Sequence, residues 1–149
     1  MENILISACL LGTNCKYNGK NNYIKEVELL KENYNLIPVC PEVLGGLSIP
    51  RNPSEILNDK VISNKGVNVT NEYNLGAKKT LEIAKKNNCK IAILKEFSPS
   101  CGKKTYDGSF SHKIISRSGI TTKLLLNNNI LVYSELEIDK LIKGLWDFS

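Results

Sequence analysis

The sequence predicts an α/β fold, a single domain over residues 1–149 with an open, mainly parallel sheet and helices on both faces in a Rossmann-like arrangement. Short apolar runs without helical periodicity alternate along the chain with helical segments, which is the order that a parallel sheet requires. A length of 149 residues suits one domain, and no repeat, linker or low-complexity segment divides it.

Four short apolar runs predict the buried strands of this sheet. They cover residues 3–8, 36–39, 90–95 and 130–133. The second run contains Pro38, which has no N–H to donate and is therefore expected near a sheet edge or a strand end. Right-handed crossovers between parallel strands should place the connecting helices on both faces.

Amphipathic spacing predicts the helices between these strands. They are expected over residues 22–33, 70–87 and 119–128 and from residue 134 onward. Asn21 or Asn22 is expected to cap the first helix, and Thr70 the second. Ser134 and Glu137 have the spacing of a capping box at the start of the last helix.

The connecting segments carry weaker signals. Residues 41–53 are predicted to form a loop, because three prolines and a Gly-Gly pair fix their path. A short helical turn is expected at residues 54–57 and a β-hairpin within residues 60–69, about a turn at 64–66. Residues 97–118 are predicted to be irregular.

Composition excludes several classes of protein. With 42% hydrophobic and 23% charged residues the chain is an ordinary globular protein, and no apolar stretch approaches the roughly 18 residues of a membrane-spanning helix. No signal-peptide pattern is found, so a cytoplasmic protein without a membrane partner is expected. The net charge of +5 mildly favours an anionic partner. Since no block of basic residues occurs, DNA is not expected.

The five cysteines are the most informative residues. An odd number in a reducing compartment argues against a disulfide framework and leaves metal binding, nucleophilic chemistry or plain burial. Cys9, Cys40 and Cys101 each lie at or just beyond the C-terminal end of a predicted strand, where open α/β sheets bind ligands. Cys15 lies in the loop after the first strand. Cys89 precedes a strand and is expected at the opposite edge.

Three convergent thiolates suit a soft metal centre, either zinc or an iron–sulfur cluster. Structural zinc sites usually use paired cysteines two to four residues apart, and this chain has no C-x-x-C motif. Three isolated ligands suit a cubane cluster that keeps one iron open as a Lewis acid. Spacing alone leaves a cluster, zinc and no metal as alternatives.

Polar residues accompany the cysteines. Glu42 follows the second strand, and Ser98 and Ser100 precede Cys101. A carboxylate and hydroxyl groups beside a Lewis-acidic iron are suited to proton transfer to a leaving heteroatom. The plainer alternatives are an ion pair of Glu42 with Arg51 and capping of a turn by the serine hydroxyls.

Arg51 and the helix start at Thr121 and Thr122 are candidate substrate-binding positions, because helix N-termini present free N–H groups to anions. The single histidine, His112, lies in an irregular segment and is predicted to be a surface residue rather than a ligand.

Short motifs with a common order carry a family resemblance. They are S-A-C-L-L-G at 7–12, C-K-Y-N-G at 15–19, P-V-C-P-E-V-L-G-G-L at 38–47, P-R at 50–51, S-P-S-C-G at 98–102 and Y-D-G at 106–108. Together they resemble the thiouracil desulfurase family over nearly the whole chain. The combination of C-P-E-x-x-G-G with S-P-S-C-G makes the resemblance specific.

This resemblance implies a cubane [4Fe-4S] cluster held by Cys9, Cys40 and Cys101, with one open iron. It implies non-redox desulfuration of a thiolated pyrimidine: 2-thiouracil, 4-thiouracil, or a thiouridine nucleoside or nucleotide. The substrate sulfur would bind the open iron, water would replace the sulfur, and sulfide would be released.

The resemblance also implies acid–base and polarising roles for Glu42 and for Ser98 or Ser100. Cys15 would lie next to the ligands or relay sulfur. Related chains with an additional domain act on transfer RNA. We therefore expect a small thiolated pyrimidine rather than tRNA as the partner of this chain. The alternatives are a carrier of a cluster or of sulfide without hydrolytic activity, and a structural zinc-binding protein.

Overall fold

The chain forms a parallel sheet, two small antiparallel strand pairs and five α-helices in the computed structural model, which describes the backbone of residues 1–147 and the side chains of residues 1–142. The strands are β1 (Asn3–Ser7), β2 (Asn35–Val39), β3 (Ser54–Leu57), β4 (Lys60–Ser63), β5 (Ile91–Leu94), β6 (Thr105–Tyr106), β7 (Ile114–Ile115) and β8 (Leu131–Ser134). The helices are α1 (Val27–Asn33), α2 (Pro41–Leu44), α3 (Thr70–Lys86), α4 (Ile120–Asn127) and α5 (Ile138–Asp147). Among these helices none is long and apolar enough to cross a membrane.

The central sheet has the strand order β2-β1-β5-β8, and all neighbouring strands are parallel. This confirms the predicted fold class. Pro38 lies opposite Ile6 in the edge strand β2, where a residue without an N–H is tolerated. The chain passes from β1 to β2 on one side of β1 and then crosses to the other side, where β5 and β8 lie. The carboxyl ends of β1 and β5 therefore flank the crevice in which such folds bind ligands.

Helices cover both faces of the sheet, as the sequence predicts. Ile4 and Ile6 of β1 belong to a core cluster with residues of α1 and α5, whereas Leu5 belongs to the cluster formed with α3 and α4. All three side chains are fully buried, and each contributes roughly 1.5–3 kcal/mol through removal of its apolar surface from water. A one-residue shift of β1 would exchange the two faces, so this alternation fixes the register.

The first helix begins later than predicted. It starts at Val27, and neither Asn21 nor Asn22 caps it. Asn21 donates a side-chain hydrogen bond to Asn14 at 2.9 Å. The backbone N–H of Asn22 donates to the carbonyl of Cys9, also at 2.9 Å. Both asparagines therefore stabilise the loop after β1 rather than the helix.

The prediction for α3 is confirmed, but the predicted cap is wrong. Thr70 is the first residue of the helix, and its hydroxyl accepts a hydrogen bond from the N–H of Val61 in β4 at 2.9 Å. The side chain thus joins the helix to β4. The capping box of Ser134 and Glu137 is present as predicted and begins a 3-10 turn that leads into α5.

Three connecting segments differ from prediction, and a fourth agrees with it. The predicted loop 41–53 begins with the single turn α2, because Pro41 occupies the first helical position, where no N–H is required. The predicted helical turn at 54–57 is strand β3, since pairing with β4 outweighs its local preference. The predicted hairpin within residues 60–69 is present about the turn at 64–66, with an antiparallel bridge between Ile62 and Asn68 and a backbone hydrogen bond from Val69 to Val61 at 2.9 Å. Within the predicted irregular segment, β6 and β7 pair antiparallel.

Candidate active site

Four of the five cysteines line one cavity of about 560 Å³. Cys9 lies in the 3-10 turn after β1, Cys40 directly follows β2, and Cys101 lies in the loop after β5. Cys15 reaches the same cavity from the loop after β1, whereas Cys89 does not line it. The cavity has the volume of a small-molecule site and lies where the strand order predicts one.

The Cys15 thiol lies next to the thiols of Cys9 and Cys40, and this contact raises the pKa of Cys15. The Cys40 thiol donates a hydrogen bond to the carbonyl oxygen of Cys15 at 3.7 Å. The contact with the Cys15 thiol lowers the pKa of Cys9 against the opposing effect of burial, helped by the Asn22 amide at 3.5 Å. It lowers the pKa of Cys40 to about 7, again despite burial. A lowered pKa favours the thiolate, which is the form that binds metals.

Cys101 differs from these two residues. Burial raises the pKa of Cys101 well above its usual value, and the nearby Glu42 and Cys9 charges add to that effect. A positively charged metal centre would reverse this balance, because a coordinated thiol is deprotonated.

The donor set fits a soft metal centre, because four cysteine thiols line one cavity. A zinc ion needs its ligands to converge at about 2.0–2.3 Å from one point. Among the described residues, no three His, Cys, Asp or Glu side chains are grouped closely enough to hold one metal ion. Cysteine thiolates also hold iron–sulfur clusters, so the donor chemistry admits a cluster as well as zinc.

Glu42 is held at both carboxylate oxygens. Its Oε2 accepts a hydrogen bond from the Arg51 guanidinium at 2.7 Å, and its Oε1 accepts one from the Ser98 hydroxyl at 3.1 Å. The ion pair is nearly buried, with side-chain exposures of 8% for Arg51 and 15% for Glu42. Arg51 also donates to the carbonyl oxygens of Cys15 and Ser48, at 2.9 and 3.2 Å. Its guanidinium thus joins Glu42 to the loop that carries Cys15.

The helix that carries Glu42 lies against α3 through a backbone contact. A Cβ atom at Gly45 would overlap the carbonyl oxygen of Glu72, and one at Gly76 would overlap that of Pro41. Only glycine at both positions permits this approach. The close crossing of α2 and α3 therefore fixes where the Glu42 carboxylate lies.

The structure separates the two candidate serines. Ser98 lines the cavity, and its hydroxyl accepts the N–H groups of Ser100 and Cys101, both at 3.1 Å, while donating to Glu42. Ser100 is fully buried, and its hydroxyl pairs with that of Thr121 at 2.7 Å. Ser98 therefore belongs to the cavity, and Ser100 belongs to the packing beneath the loop.

Thr121 and Thr122 are not brought to the cavity. Both are fully buried, and their N–H groups donate to the carbonyl of Ser100 at 2.8 and 3.2 Å. The Thr122 hydroxyl donates to the carbonyl of Cys101 at 2.6 Å. The N–H groups at the start of α4 thus hold the loop that carries Cys101, and they are not free for a substrate.

Aromatic residues supply a part of the lining that the sequence analysis missed. They are Phe97, Tyr106, Phe110 and His112, which we call the aromatic wall. His112 is exposed, as predicted, but it lies at the rim of the cavity. The segment has no periodicity that could reveal the wall. The Y-D-G motif at 106–108 was the one signal in this region.

The chain resembles known proteins over nearly its full length. The family model for 2-thiouracil desulfurase matches residues 4–137. The chain is 40% identical to "Uncharacterized protein YbbK" of Bacillus subtilis (strain 168), over 93% of this chain and 99% of that one. It is also similar to the solved structure of TudS, a [4Fe-4S]-dependent thiouracil desulfidase, with a TM-score of 0.91 and 36% identity over 97% and 98% of the two chains.

Proposed function

The chain belongs to the 2-thiouracil desulfurase family, a family of enzymes, and we propose that it replaces the sulfur of a thiolated pyrimidine with oxygen by means of a [4Fe-4S] cluster. The supporting observation is that cysteines from three strand ends line one cavity together with a fixed carboxylate. The reaction consumes one water and releases the sulfur as hydrogen sulfide. The atoms balance without an oxidant or a reductant.

Cys9, Cys40 and Cys101 hold the cluster in this proposal. The lowered pKa values of Cys9 and Cys40 support their roles, and Cys101 is the remaining cavity cysteine from a strand end. Cys15 lies next to these ligands, and its contact with Cys9 and Cys40 lowers their pKa values. When bound, the cluster supplies a Lewis-acidic iron, which is soft enough to prefer a thiocarbonyl sulfur over a carbonyl oxygen.

Glu42 is the general base that takes a proton from the attacking water. Arg51 and Ser98 orient its two oxygens, so the carboxylate keeps one direction in the cavity. The single hydroxyl proton of Ser98 is donated to Glu42 and is therefore not free for the substrate. Ser98 and Arg51 are accordingly positioning residues, and Ser100, Thr121 and Thr122 support the loop behind them.

The substrate is a small thiolated pyrimidine rather than tRNA. The cavity volume of about 560 Å³ is in the range of sites that enclose small molecules. The preference between a 2-thio and a 4-thio group, and between a free base and a nucleoside or nucleotide, stays a prediction for competition assays.

Metal analysis of cysteine variants tests this proposal. We expect about four irons and four acid-labile sulfides per chain after anaerobic reconstitution, the composition of a cubane cluster. Cys9→Ala, Cys40→Ala and Cys101→Ala should each lose the cluster. Cys89→Ala is the matched control, because this buried cysteine does not line the cavity, and it should retain full iron content.

The same samples distinguish the alternatives. Zinc without labile sulfide in the parent would contradict the proposal. A full cluster that releases no sulfide from any thiolated pyrimidine would favour the carrier alternative. Full iron content in one of the three ligand variants would move that ligand to another residue, Cys15 first.

A further inference from the structure

The aromatic wall is an interacting set of rings. The rings of Phe97 and Tyr106 are stacked, with centroids 5.7 Å apart and planes inclined by 25°. Tyr106 and His112 meet edge to face at 4.9 Å and 88°. Phe110 makes no ring pair of this kind within the described residues, although it lines the same cavity. All four residues line the cavity, so the wall offers aromatic surface to whatever occupies it.

Three of the four wall residues have an unusual backbone conformation. Phe97, Phe110 and His112 have φ angles of 67°, 61° and 64°, in the left-handed region that bulky residues rarely adopt. Such conformations cost energy and persist only where the surrounding structure holds them, typically at ligand sites. Relaxation of these residues would turn their side chains away from their present directions.

A buried carboxylate holds the part of the wall that carries Phe110. Glu55 in β3 is only 6% exposed, and its Oε1 accepts the N–H groups of Gly108 and Phe110, both at 3.1 Å. Gly108 has a φ of 93°, and a Cβ atom there would meet the carbonyl oxygen of Ile56 at 2.8 Å. The segment is thus anchored closely against β3, and Glu55 supplies the acceptor for two of its N–H groups.

From this arrangement we propose that the aromatic wall is the surface on which the pyrimidine ring of the substrate stacks, and that Glu55 is the positioning residue that keeps the wall in place. This inference rests on the proposed function. A ring bound through its face leaves its edge free, so the thiocarbonyl group and ring N–H groups can point towards the cysteines and Glu42. Recognition through the ring face does not require sulfur, so uracil should bind to the same surface.

Uracil binding to the reconstituted enzyme tests the wall. Tyr106→Leu and Phe110→Leu should each raise the dissociation constant for uracil, measured by calorimetry, by about fivefold to 100-fold, the range of base–aromatic stacking. They should raise the KM for thiouracil similarly, with kcat within about twofold of the parent. Tyr34→Leu is the matched control, because Tyr34 precedes β2 at the other end of the sheet and does not line the cavity.

Glu55 is tested through backbone protection as well as kinetics. Glu55→Ala should increase hydrogen exchange at the amides of Gly108 and Phe110 and raise KM more than it lowers kcat. Glu55→Gln keeps a carbonyl oxygen at the acceptor position and should restore both properties. If Glu55→Ala does not fold, the glutamine and wall variants still decide the matter.

Unchanged uracil affinity in both wall variants, or no measurable uracil binding by the parent, would overturn the inference. Failure of the proposed function has a different signature. The parent would release no sulfide from thiouracil, while uracil would still bind in a manner that depends on Tyr106 and Phe110.

Discussion

The cysteine side of the cavity, formed by Cys9, Cys40, Cys101 and Glu42, is built differently from the aromatic wall. Cys9 and Cys40 lie at the ends of β1 and β2 and Glu42 lies on α2, so the sheet and a glycine-mediated helix contact fix their positions. Cys101 lies in the loop after β5, which hydrogen bonds with Ser98 and Thr122 hold. The wall lies largely on loop segments with left-handed residues, and the Glu55 carboxylate holds the segment that carries Phe110. Regular structure thus positions most of the groups proposed for chemistry, and individual hydrogen bonds position Cys101 and the surface proposed for binding.

This contrast predicts that damage to the cysteine side changes kcat, whereas damage to the wall changes KM. Glu42→Gln is the sharpest case. It should lower kcat by about 10²–10⁴-fold, the usual contribution of a general base, with KM and iron content close to the parent values. Steady-state kinetics and iron analysis check this. Glu28→Gln, an exposed partner of Lys31, is the control. A Glu42→Gln enzyme with parental kcat would remove the proposed base.

Arg51→Met tests the buried ion pair. Because the Glu42 carboxylate would lose its cationic partner in a nearly buried position, the free energy of unfolding should fall by about 3–5 kcal/mol. Urea denaturation measures that loss. In the double variant with Glu42→Gln the penalty should largely disappear, since no unpaired charge remains. Equal losses in the single and double variants would show that the pairing is not the cause.

The two serines should respond differently. Ser98→Ala removes a hydrogen bond to Glu42 and should lower kcat, whereas Ser100→Ala removes a buried bond to Thr121 and should mainly reduce stability, by about 1–3 kcal/mol. Parallel kinetics and thermal unfolding of the two variants measure this. A larger loss of kcat in Ser100→Ala than in Ser98→Ala would show that Ser100, and not Ser98, supports the reaction.

Glu137 gives the smallest expected effect on stability. It pairs with Lys103, which follows Cys101 by two residues, at 2.8 Å. Burial raises its pKa, but hydrogen bonds from Lys103 and the Ser134 N–H outweigh that effect and lower it from 4.5 to about 2. Because the folded-state pKa is the lower one, this stabilisation is present above pH 4.5 and is lost as pH falls towards 2. Glu137→Gln should therefore flatten the decline in stability between these pH values. An unchanged pH profile would contradict this.

The sequence predicted the cysteine side because the order of the strands along the chain brings its cysteines together. Cys9, Cys40 and Cys101 follow apolar strands, and the carboxyl ends of parallel strands meet at one edge. The family resemblance that their motifs indicated is confirmed by the family model. The Glu42–Arg51 pair, weighed as the plainer alternative, is also present and orients the carboxylate.

The remaining features depend on contacts between distant segments. Strand β3 requires β4 as its partner, and the position of Ser100 is decided by Thr121 of α4. The free N–H groups expected at Thr121 and Thr122 are used by the carbonyl of Ser100. Nothing local in the sequence reveals that Glu55 would anchor the wall, because its two partners follow more than 50 residues later.

The most direct test of the central claim is turnover of 2-thiouracil and 4-thiouracil in ¹⁸O-labelled water by the anaerobically reconstituted protein, without a reductant. Hydrolytic desulfuration at this cavity predicts uracil that carries one oxygen from water, with one sulfide released for each uracil formed. Absence of uracil from both substrates, or uracil formed only when a reductant is added, would contradict it.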